Sequence, residues 1–136
     1  MSLAEKQRRM IERYLLIEDP QERLAAVTAR GKKWPAPRDE ERIAANLVPG
    51  CSSRVWLIGD LQDGTCRFRL DADSPLVKGL AALTCELYDG EAAAEIVAME
   101  PQLIEALGFA KTLSPTRLNG ITQIRNVIRQ FAQKCG

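Results

Sequence analysis

Four cysteines are the residues of this sequence best suited to covalent chemistry, because its 136 residues include no histidine. Histidine is the common general base near neutral pH and the commonest nitrogen ligand of transition metals, so serine triads and histidine-bound zinc are excluded. The cysteines lie at positions 51, 66, 85 and 135, and their intervals of 15, 19 and 50 residues match no zinc or iron–sulfur spacing. We therefore expect no metal site and no cofactor, and each cysteine is either a packing residue or a working thiol.

Three of the cysteines have sequence surroundings that are typical of packing residues. Cys66 shares a predicted strand face with Phe68, and Cys85 lies in an alanine-rich helical segment. Cys135 follows Ile128 by seven residues on the apolar stripe of a predicted helix. Because free cysteine is among the most often buried residue types, we predict that these three fill space in the core.

Cys51 differs because it follows Pro49-Gly50 and comes just before a predicted strand. Loops held by a sheet often present reactive groups, and a glycine beside the thiol leaves room for a partner. Arg54 could stabilise a thiolate, but alternation along the strand can also turn it away from the sulfur. The pattern alone leaves two interpretations open, a reactive thiol and the more frequent case of an incidental loop cysteine.

The composition predicts a small globular domain without a strong electrostatic preference. Lys and Arg number 19 against 18 Asp and Glu, which gives a net charge of +1, and 46% of the residues are apolar. No stretch approaches the roughly 18 apolar residues of a membrane span, and no cationic field favours nucleic acid. We expect one domain over residues 1–136 that binds neither nucleic acid nor membranes. The amino end has no charged leader followed by an apolar stretch, so we expect a cytoplasmic protein.

Capping signals and apolar periodicity place two helices in the first third of the chain. The first is predicted from the capping-box serine Ser2 to about Glu18. The second is predicted over Asp19–Gly31, which begins with an acidic cap and a proline and ends at a glycine. Residues 32–37 contain two prolines and are predicted to cross the surface as an ordered loop.

The middle of the chain changes to the period of two that marks β-strands. Residues 53–59 and 65–70 are predicted to form a hairpin, joined by residues 60–64 with an Asp-Gly pair. Residues 46–48 are predicted to add a short third strand before the Pro-Gly corner. The sequence thus predicts a small antiparallel sheet.

The remainder of the chain is predicted to be helical. Segments over residues 74–88, 92–98 and 101–107 lead to a long final helix that opens at Ser114-Pro115. Gly79 lies inside the first of them, and glycine in a helix costs roughly 1 kcal/mol relative to alanine, so we expect close backbone packing there. The predicted class is α+β, with the sheet covered by helices on one side.

Three stretches of the sequence resemble motifs of the SufE family. Residues 46–57 are similar to its Val-Pro-Gly-Cys-x-Ser-x-Val-Trp signature, and residues 71–80 are similar to its Asp-x-x-Ile-Val-Lys-Gly-Leu helix start. Residues 113–120 resemble its Ser-x-x-Arg-x-Asn-Gly element. The three motifs occur in the family's order and together span most of the chain, so the combination is far more specific than any one motif.

The resemblance implies a persulfide relay centred on Cys51. SufE proteins accept sulfur from a pyridoxal-phosphate-dependent cysteine desulfurase of the SufS or CsdA type, stimulate that enzyme, and pass the sulfur to an iron–sulfur cluster scaffold or another acceptor. The thiol of Cys51 would carry the sulfur as a persulfide, as a covalent carrier rather than an enzyme. This chemistry parallels thiol–disulfide exchange and needs no histidine, metal or cofactor. The resemblance also implies a loop that shields the sulfur until the desulfurase docks.

The same resemblance points to residues that support the loop or meet the partner. These are Gly50, Arg54, Trp56, Asp73, Arg117 and Asn119. Structural roles are open for three of them. Asp73 is predicted to cap the following helix, Arg117 to bond to a neighbouring carboxylate, and Trp56 to lie in the core.

Two other functions remain open on the sequence. U-type iron–sulfur scaffolds share the fold that the resemblance implies, but they need several convergent thiolates and usually a histidine. A plain interaction module with inert cysteines is the third candidate. A homodimer is possible on the sequence, which identifies neither the particular desulfurase nor the final acceptor.

Overall fold

Helices and a small antiparallel sheet form an α+β architecture in the computed structural model, which describes residues 1–135. The elements are α1 (Leu3–Leu15), α2 (Pro20–Gly31), β1 (Val55–Gln62), β2 (Thr65–Ala72), α3 (Pro75–Tyr88), β3 (Glu91–Ala92), α4 (Ala93–Ala98), α5 (Leu103–Ala106) and α6 (Pro115–Cys135). Short 3-10 turns occur at Asp39–Glu41, Ala44–Asn46 and Phe109–Lys111. The predicted fold class is therefore confirmed. No helix within residues 1–135 is both long and apolar enough to cross a membrane.

The helix starts follow the capping signals of the sequence. The hydroxyl of Ser2 accepts a hydrogen bond from the Glu5 amide, and Ser74 does the same for Val77. The end of α1 differs from the prediction, because the helix stops at Leu15 rather than near Glu18. The cause is Arg23, which is 7% exposed and donates to the backbone carbonyls of Tyr14, Ile17 and Glu18. The buried guanidinium of Arg23 thus supplies these carbonyls with hydrogen bonds where a further turn of helix would have done so.

The hairpin is longer than the sequence pattern predicted. β1 pairs with β2 from Val55 opposite Ala72 to Gln62 opposite Thr65, which leaves Asp63-Gly64 as a two-residue turn. Both turn residues have positive φ, 52° and 79°, as a type I′ turn requires. The predicted five-residue connection over 60–64 is wrong because this turn matches the twist of the strands and lets pairing continue to its edge.

The third strand is not where the sequence predicted it. Residues 46–48 make only one bridge, Leu47 opposite Trp56, and the amide of Val48 donates to the Val55 carbonyl at 2.8 Å. Pairing stops there because Pro49 has no amide hydrogen to donate. β3 comes instead from the chain after α3 and pairs with the other edge of β2, which gives the order β1-β2-β3.

The core lies between one face of the sheet and the helices α3 and α6. Phe68 of β2 packs edge-on against Phe131 of α6, with ring centroids 5.7 Å apart. Cys66 and Cys85 are fully buried in this core, which confirms their predicted packing role, whereas Cys135 is only half-buried. The residues around Cys51 therefore lead directly into a firmly packed hairpin.

Two glycines set the distance between α2 and α3. An ideal Cβ on Gly79 would lie 2.7 Å from the Cα of Thr28, and one on Gly31 would lie 2.5 Å from the Cα of Gly79. Such contacts are shorter than backbone atoms can tolerate, so the two helices can approach this closely only without side chains here. The close packing predicted for Gly79 is confirmed.

We predict that Gly79→Ala destabilises the protein by about 1–3 kcal/mol, because the new methyl group forces α2 and α3 apart. In an unconstrained helix the same change stabilises by roughly 1 kcal/mol, so the sign of the effect identifies the contact. Urea unfolding followed by circular dichroism measures it. Ala29→Gly on the exposed face of α2 is the control for helix propensity alone, and a stabilised Gly79→Ala variant would contradict the prediction.

Candidate functional site at Cys51

The candidate thiol lies on a short loop, residues 49–54, that is closed at its base and packed against α6. The Val48–Val55 hydrogen bond closes the loop, and both valines are buried. Cys51 is half-buried, and its Sγ–H donates to the backbone carbonyl of Gly120 at 3.4 Å. An ideal Cβ on Gly120 would lie 3.5 Å from this sulfur, an ordinary van der Waals contact, so the thiol packs directly against the backbone of this helix face.

Gly50 brings the loop into contact with the same face of α6. Its φ is +79°, a conformation that side chains disfavour, and an ideal Cβ would lie 3.1 Å from Cγ of Gln123. Its carbonyl accepts a hydrogen bond of 3.4 Å from Nδ2 of Asn119. The structure thus brings Cys51, Gly50 and Asn119 together. Sequence reasoning missed Gln123, although its position one helical turn after Asn119 was a usable signal.

Burial controls the protonation of the candidate thiol. Removal from water disfavours the charged form and raises the pKa of the Cys51 thiol above its ordinary value. The free protein therefore holds this group mainly as a neutral thiol near neutral pH, because the unshifted value already lies above 7. Since the thiolate is the nucleophile, the closed loop lowers reactivity.

Arg54 does not act on the sulfur but pairs with Asp73 beside the loop. Its Nε donates to the Asp73 carboxylate at 2.9 Å, and both side chains are largely exposed. The prediction that Asp73 caps α3 is wrong, because Ser74 supplies that cap. Asp73 is the last residue before the cap, and its side chain reaches back to the loop instead.

Trp56 lies on the outer face of the sheet, and its predicted place in the core is wrong. Strand alternation turns Val55 and Leu57 inward, so Trp56 faces outward and is half-buried. The guanidinium carbons of Arg42 and Arg54 each lie 5.5 Å from its ring centroid. Cation–π contacts with two arginines therefore support the aromatic ring next to the loop.

Arg117 lies in the first turn of α6, close to the point where Gly120 contacts the Cys51 thiol. Its backbone amide donates to the Ser114 hydroxyl at 3.2 Å, which caps the helix. The predicted bond to a carboxylate is absent, because Arg117 makes no ion pair with any residue from 1 to 135. Its half-buried side chain is one helical turn from Gly120, so an uncompensated positive charge lies near the site.

Ion pairs anchor the segment that leads into the loop to the outer face of the sheet. Arg69 of β2 binds Glu41 with two hydrogen bonds of 2.6 and 2.9 Å and also reaches Asp60. These bonds lower the pKa of Glu41 to about 2. Arg42 binds Asp71 at 2.7 Å, and Lys78 shares the same carboxylate. Glu41 and Arg42 belong to the segment that leads into the loop, and both are therefore bound to the sheet by ion pairs.

The part of the chain that the structure describes offers no cluster of three or more His, Cys, Asp or Glu side chains able to hold a metal ion. Cys66 and Cys85 are fully buried in the core. The chemistry available at the site is that of one thiol beside a helix backbone.

Comparisons with known proteins match this architecture and motif set. The SufE family profile, described as an Fe-S metabolism associated domain, matches residues 8–132. An uncharacterized SufE-like protein of Synechocystis sp. is 40% identical over 124 residues, covering 91% of this chain and 78% of that protein. A second such protein, of Rhizobium etli, is 32% identical over 129 residues, covering 91% and 87%. A solution structure of a hypothetical protein from Thermus thermophilus shares the fold with a TM-score of 0.78, at 20% identity and with 96% and 95% of the two chains covered.

These matches define the class of protein as one associated with iron–sulfur metabolism. The chain belongs to the SufE family, and this membership supports a role in sulfur transfer for iron–sulfur metabolism.

We predict that Asn119→Ala speeds alkylation of Cys51 several-fold, because it removes the side-chain bond that holds the Gly50 carbonyl against α6. Peptide-resolved mass spectrometry after timed exposure to iodoacetamide measures the rate, and buried Cys85 gives the unreactive reference. Asn126→Ala, an exposed asparagine on the same helix, is the matched control. Equal Cys51 rates in the Asn119→Ala variant and the wild-type protein would show that this bond does not hold the loop.

Proposed function

We propose that Cys51 accepts sulfur from a pyridoxal-phosphate-dependent cysteine desulfurase and carries it as a persulfide. The observation that carries this proposal is the placement of the thiol on a closed loop, half-buried and bonded to the Gly120 carbonyl. Because the loop rests on α6 mainly through Gly50 and Cys51, it can detach without disturbing the core. Family membership supports the sulfur chemistry.

The transfer is an exchange between a thiol and a persulfide. The Cys51 thiolate attacks the terminal sulfur of the persulfide on the desulfurase, and a new sulfur–sulfur bond forms at Cys51. The old sulfur–sulfur bond breaks, and its electron pair stays on the cysteine of the desulfurase, which leaves as a thiolate. The proton lost by Cys51 compensates this new thiolate, so the exchange is neutral in charge and requires no external oxidant or reductant.

The closed loop fits the need to protect the product. An exposed persulfide would lose its sulfur to stray thiols, whereas a sulfur beside Gly120 is partly covered by α6. The raised pKa of the Cys51 thiol acts in the same direction, because it keeps the acceptor unreactive until the loop opens into the partner's active site. The exposed Arg54–Asp73 pair and Arg117 are the charged groups that a docking desulfurase would meet.

The carried sulfur then passes to an iron–sulfur cluster scaffold or another acceptor, and its removal from the desulfurase stimulates turnover of that enzyme. We place this carrier in the cytoplasm, with no cofactor of its own and with proteins rather than nucleic acid or membranes as partners. A scaffold function is less well supported, because two of the four thiols, Cys66 and Cys85, are fully buried. Iron and sulfide bound after anaerobic reconstitution would distinguish a scaffold from a carrier.

We predict that Cys51→Ser folds normally but no longer stimulates the desulfurase, because a hydroxyl cannot take up the terminal sulfur at neutral pH. Sulfide release from free cysteine is measured with and without the variant. Cys135→Ser, which changes a half-buried thiol at the far end of α6, is the matched control and keeps full stimulation. A fully active Cys51→Ser variant would exclude the carrier function.

We also predict that Cys51 is alkylated slowly in the free protein and several-fold faster when a catalytically inactive desulfurase is added. The reason is that docking replaces the contacts of the loop with α6. Per-cysteine alkylation rates are compared with and without the inactive enzyme, and serum albumin added at the same concentration is the control. Equal rates would refute partner-dependent opening and leave sulfur uptake by Cys51 untouched.

A further inference from the structure

Two of the three cysteines that the proposed function leaves unused lie where β2 meets the end of α6. Cys66 is the second residue of β2 and is fully buried, and Cys135 is the last residue of α6 and is half-buried. Cys51 touches α6 at Gly120, and an α-helix rises about 1.5 Å per residue, so Cys135 lies about 22 Å further along the helix. The two cysteines are therefore separate from the candidate sulfur site.

The contact between Phe68 and Phe131 fixes how this strand and this helix are aligned. Across the hairpin, Gly59 lies opposite Phe68, and an ideal Cβ on Gly59 would lie 2.7 Å from the ring of Phe131. Leu57, two residues earlier in β1, lines the same groove as Val127, one helical turn earlier in α6. β1 therefore runs in the same direction as α6 across this contact, and its antiparallel partner β2 runs in the opposite direction.

This alignment brings the two thiols together. Cys66 precedes Phe68 by two residues on the buried face of β2, a step of about 6.6 Å. Cys135 follows Phe131 by four residues on the same face of α6, a step of about 6 Å. Because β2 and α6 run in opposite directions, the two steps lead to the same place. In agreement with this geometry, burial raises the pKa of the Cys66 thiol, and the nearby Cys135 thiol raises it further.

The two thiols differ in their access to a reagent from solution. Cys135 is half-buried in the last turn of α6, whereas Cys66 has no exposed surface. The last turn of a helix has carbonyls without partners inside the helix, and it frays more easily than the middle. Cys135 can therefore both meet a small reagent and adjust to the side-chain geometry that a disulfide requires.

We propose that Cys66 and Cys135 form a second thiol site, which hydroperoxides convert into an internal disulfide between β2 and α6. With hydrogen peroxide, the Cys135 thiolate attacks one oxygen, so that a sulfur–oxygen bond forms, the oxygen–oxygen bond breaks, and hydroxide leaves and takes up the proton that Cys135 lost. The Cys66 sulfur then attacks the sulfur of this sulfenic acid. A sulfur–sulfur bond forms, and hydroxide leaves with the proton of Cys66 as water. Two thiols are oxidised, and one peroxide is reduced to two water molecules.

The disulfide would tie the end of α6 to the sheet and close residues 67–134 into a loop. A crosslink that closes a long loop removes conformational freedom mainly from the unfolded chain. We therefore expect the oxidised protein to unfold at a temperature about 5–10 °C higher than the reduced protein. Cys51 lies outside this loop and is no part of the pair, so the inference stands independently of sulfur transfer.

Oxidation of the folded protein followed by peptide mapping tests this site. The reduced protein is treated with hydrogen peroxide at high dilution, the remaining thiols are alkylated, and the tryptic peptides are analysed without reduction. We expect the peptides of residues 55–67 and 135–136 to appear as one disulfide-linked pair, which a reducing dithiol separates again. The proposal is overturned if this pair is absent, whether Cys135 stays reduced, forms a higher sulfur acid or joins another cysteine.

Three variants separate this pair from unspecific oxidation. Cys66→Ala and Cys135→Ala are expected to lose both the linked peptide and the rise in unfolding temperature. Cys85→Ala, which changes a fully buried cysteine of α3, is the matched control and is expected to keep both. Because Cys135 is only half-buried, its variant remains informative even if Cys66→Ala does not fold. A folded Cys135→Ala variant that keeps the temperature rise would contradict the site.

Oxidation of the wild-type protein in urea shows whether the fold selects the pair. An unfolded chain with four cysteines is expected to form several different disulfides, whereas the folded chain is expected to form the one between residues 66 and 135. The same mixture of disulfides with and without urea would contradict the proposed contact.

Discussion

The contact between the Cys51 loop and the backbone of α6 is the constraint on which the site depends. Gly120 presents its bare backbone to the sulfur, and Gly50 adopts the positive φ that lets the loop turn over the helix. The result is a thiol that is partly covered, bonded to a carbonyl and kept neutral by burial. This combination suits the proposed carrier of labile sulfur, because a partial cover would slow reaction in the free protein and would be small enough for a docking partner to displace.

The rest of the fold holds this contact in place from two directions. The long hairpin and the Phe68–Phe131 contact fix α6 against the sheet. On the opposite face of the sheet, Arg69 and Glu41 bind the segment before the loop, so both ends of the loop start from ordered structure. The loop itself lacks a large apolar anchor, since Pro49, Gly50 and two serines surround the thiol. Few apolar contacts therefore hold the loop around Cys51, the thiol that we propose accepts sulfur.

Much of this organisation follows from local sequence signals, and the differences have physical causes. Caps, periodicity and the Asp-Gly turn predicted the helices and the hairpin, and glycine inside a helix predicted the close approach at Gly79. The place of β3 and the early end of α1 were not predictable, because a distant strand edge and the buried Arg23 decide them. At the site, the family motifs selected Cys51, Gly50 and Asn119. The pairing of Arg54 with Asp73 and the outward Trp56 emerged only when both hairpin strands were placed.

We propose that one of the four cysteines accepts sulfur and that the accessibility of each thiol decides which of them does. The most direct measurement incubates the wild-type protein with a desulfurase, pyridoxal phosphate and free cysteine. It then blocks thiols and persulfides by alkylation and locates added sulfur on each cysteine by peptide mass spectrometry. We expect one additional sulfur atom on Cys51 and none on the fully buried Cys66 and Cys85. Added sulfur on another cysteine while Cys51 stays unmodified would contradict the account.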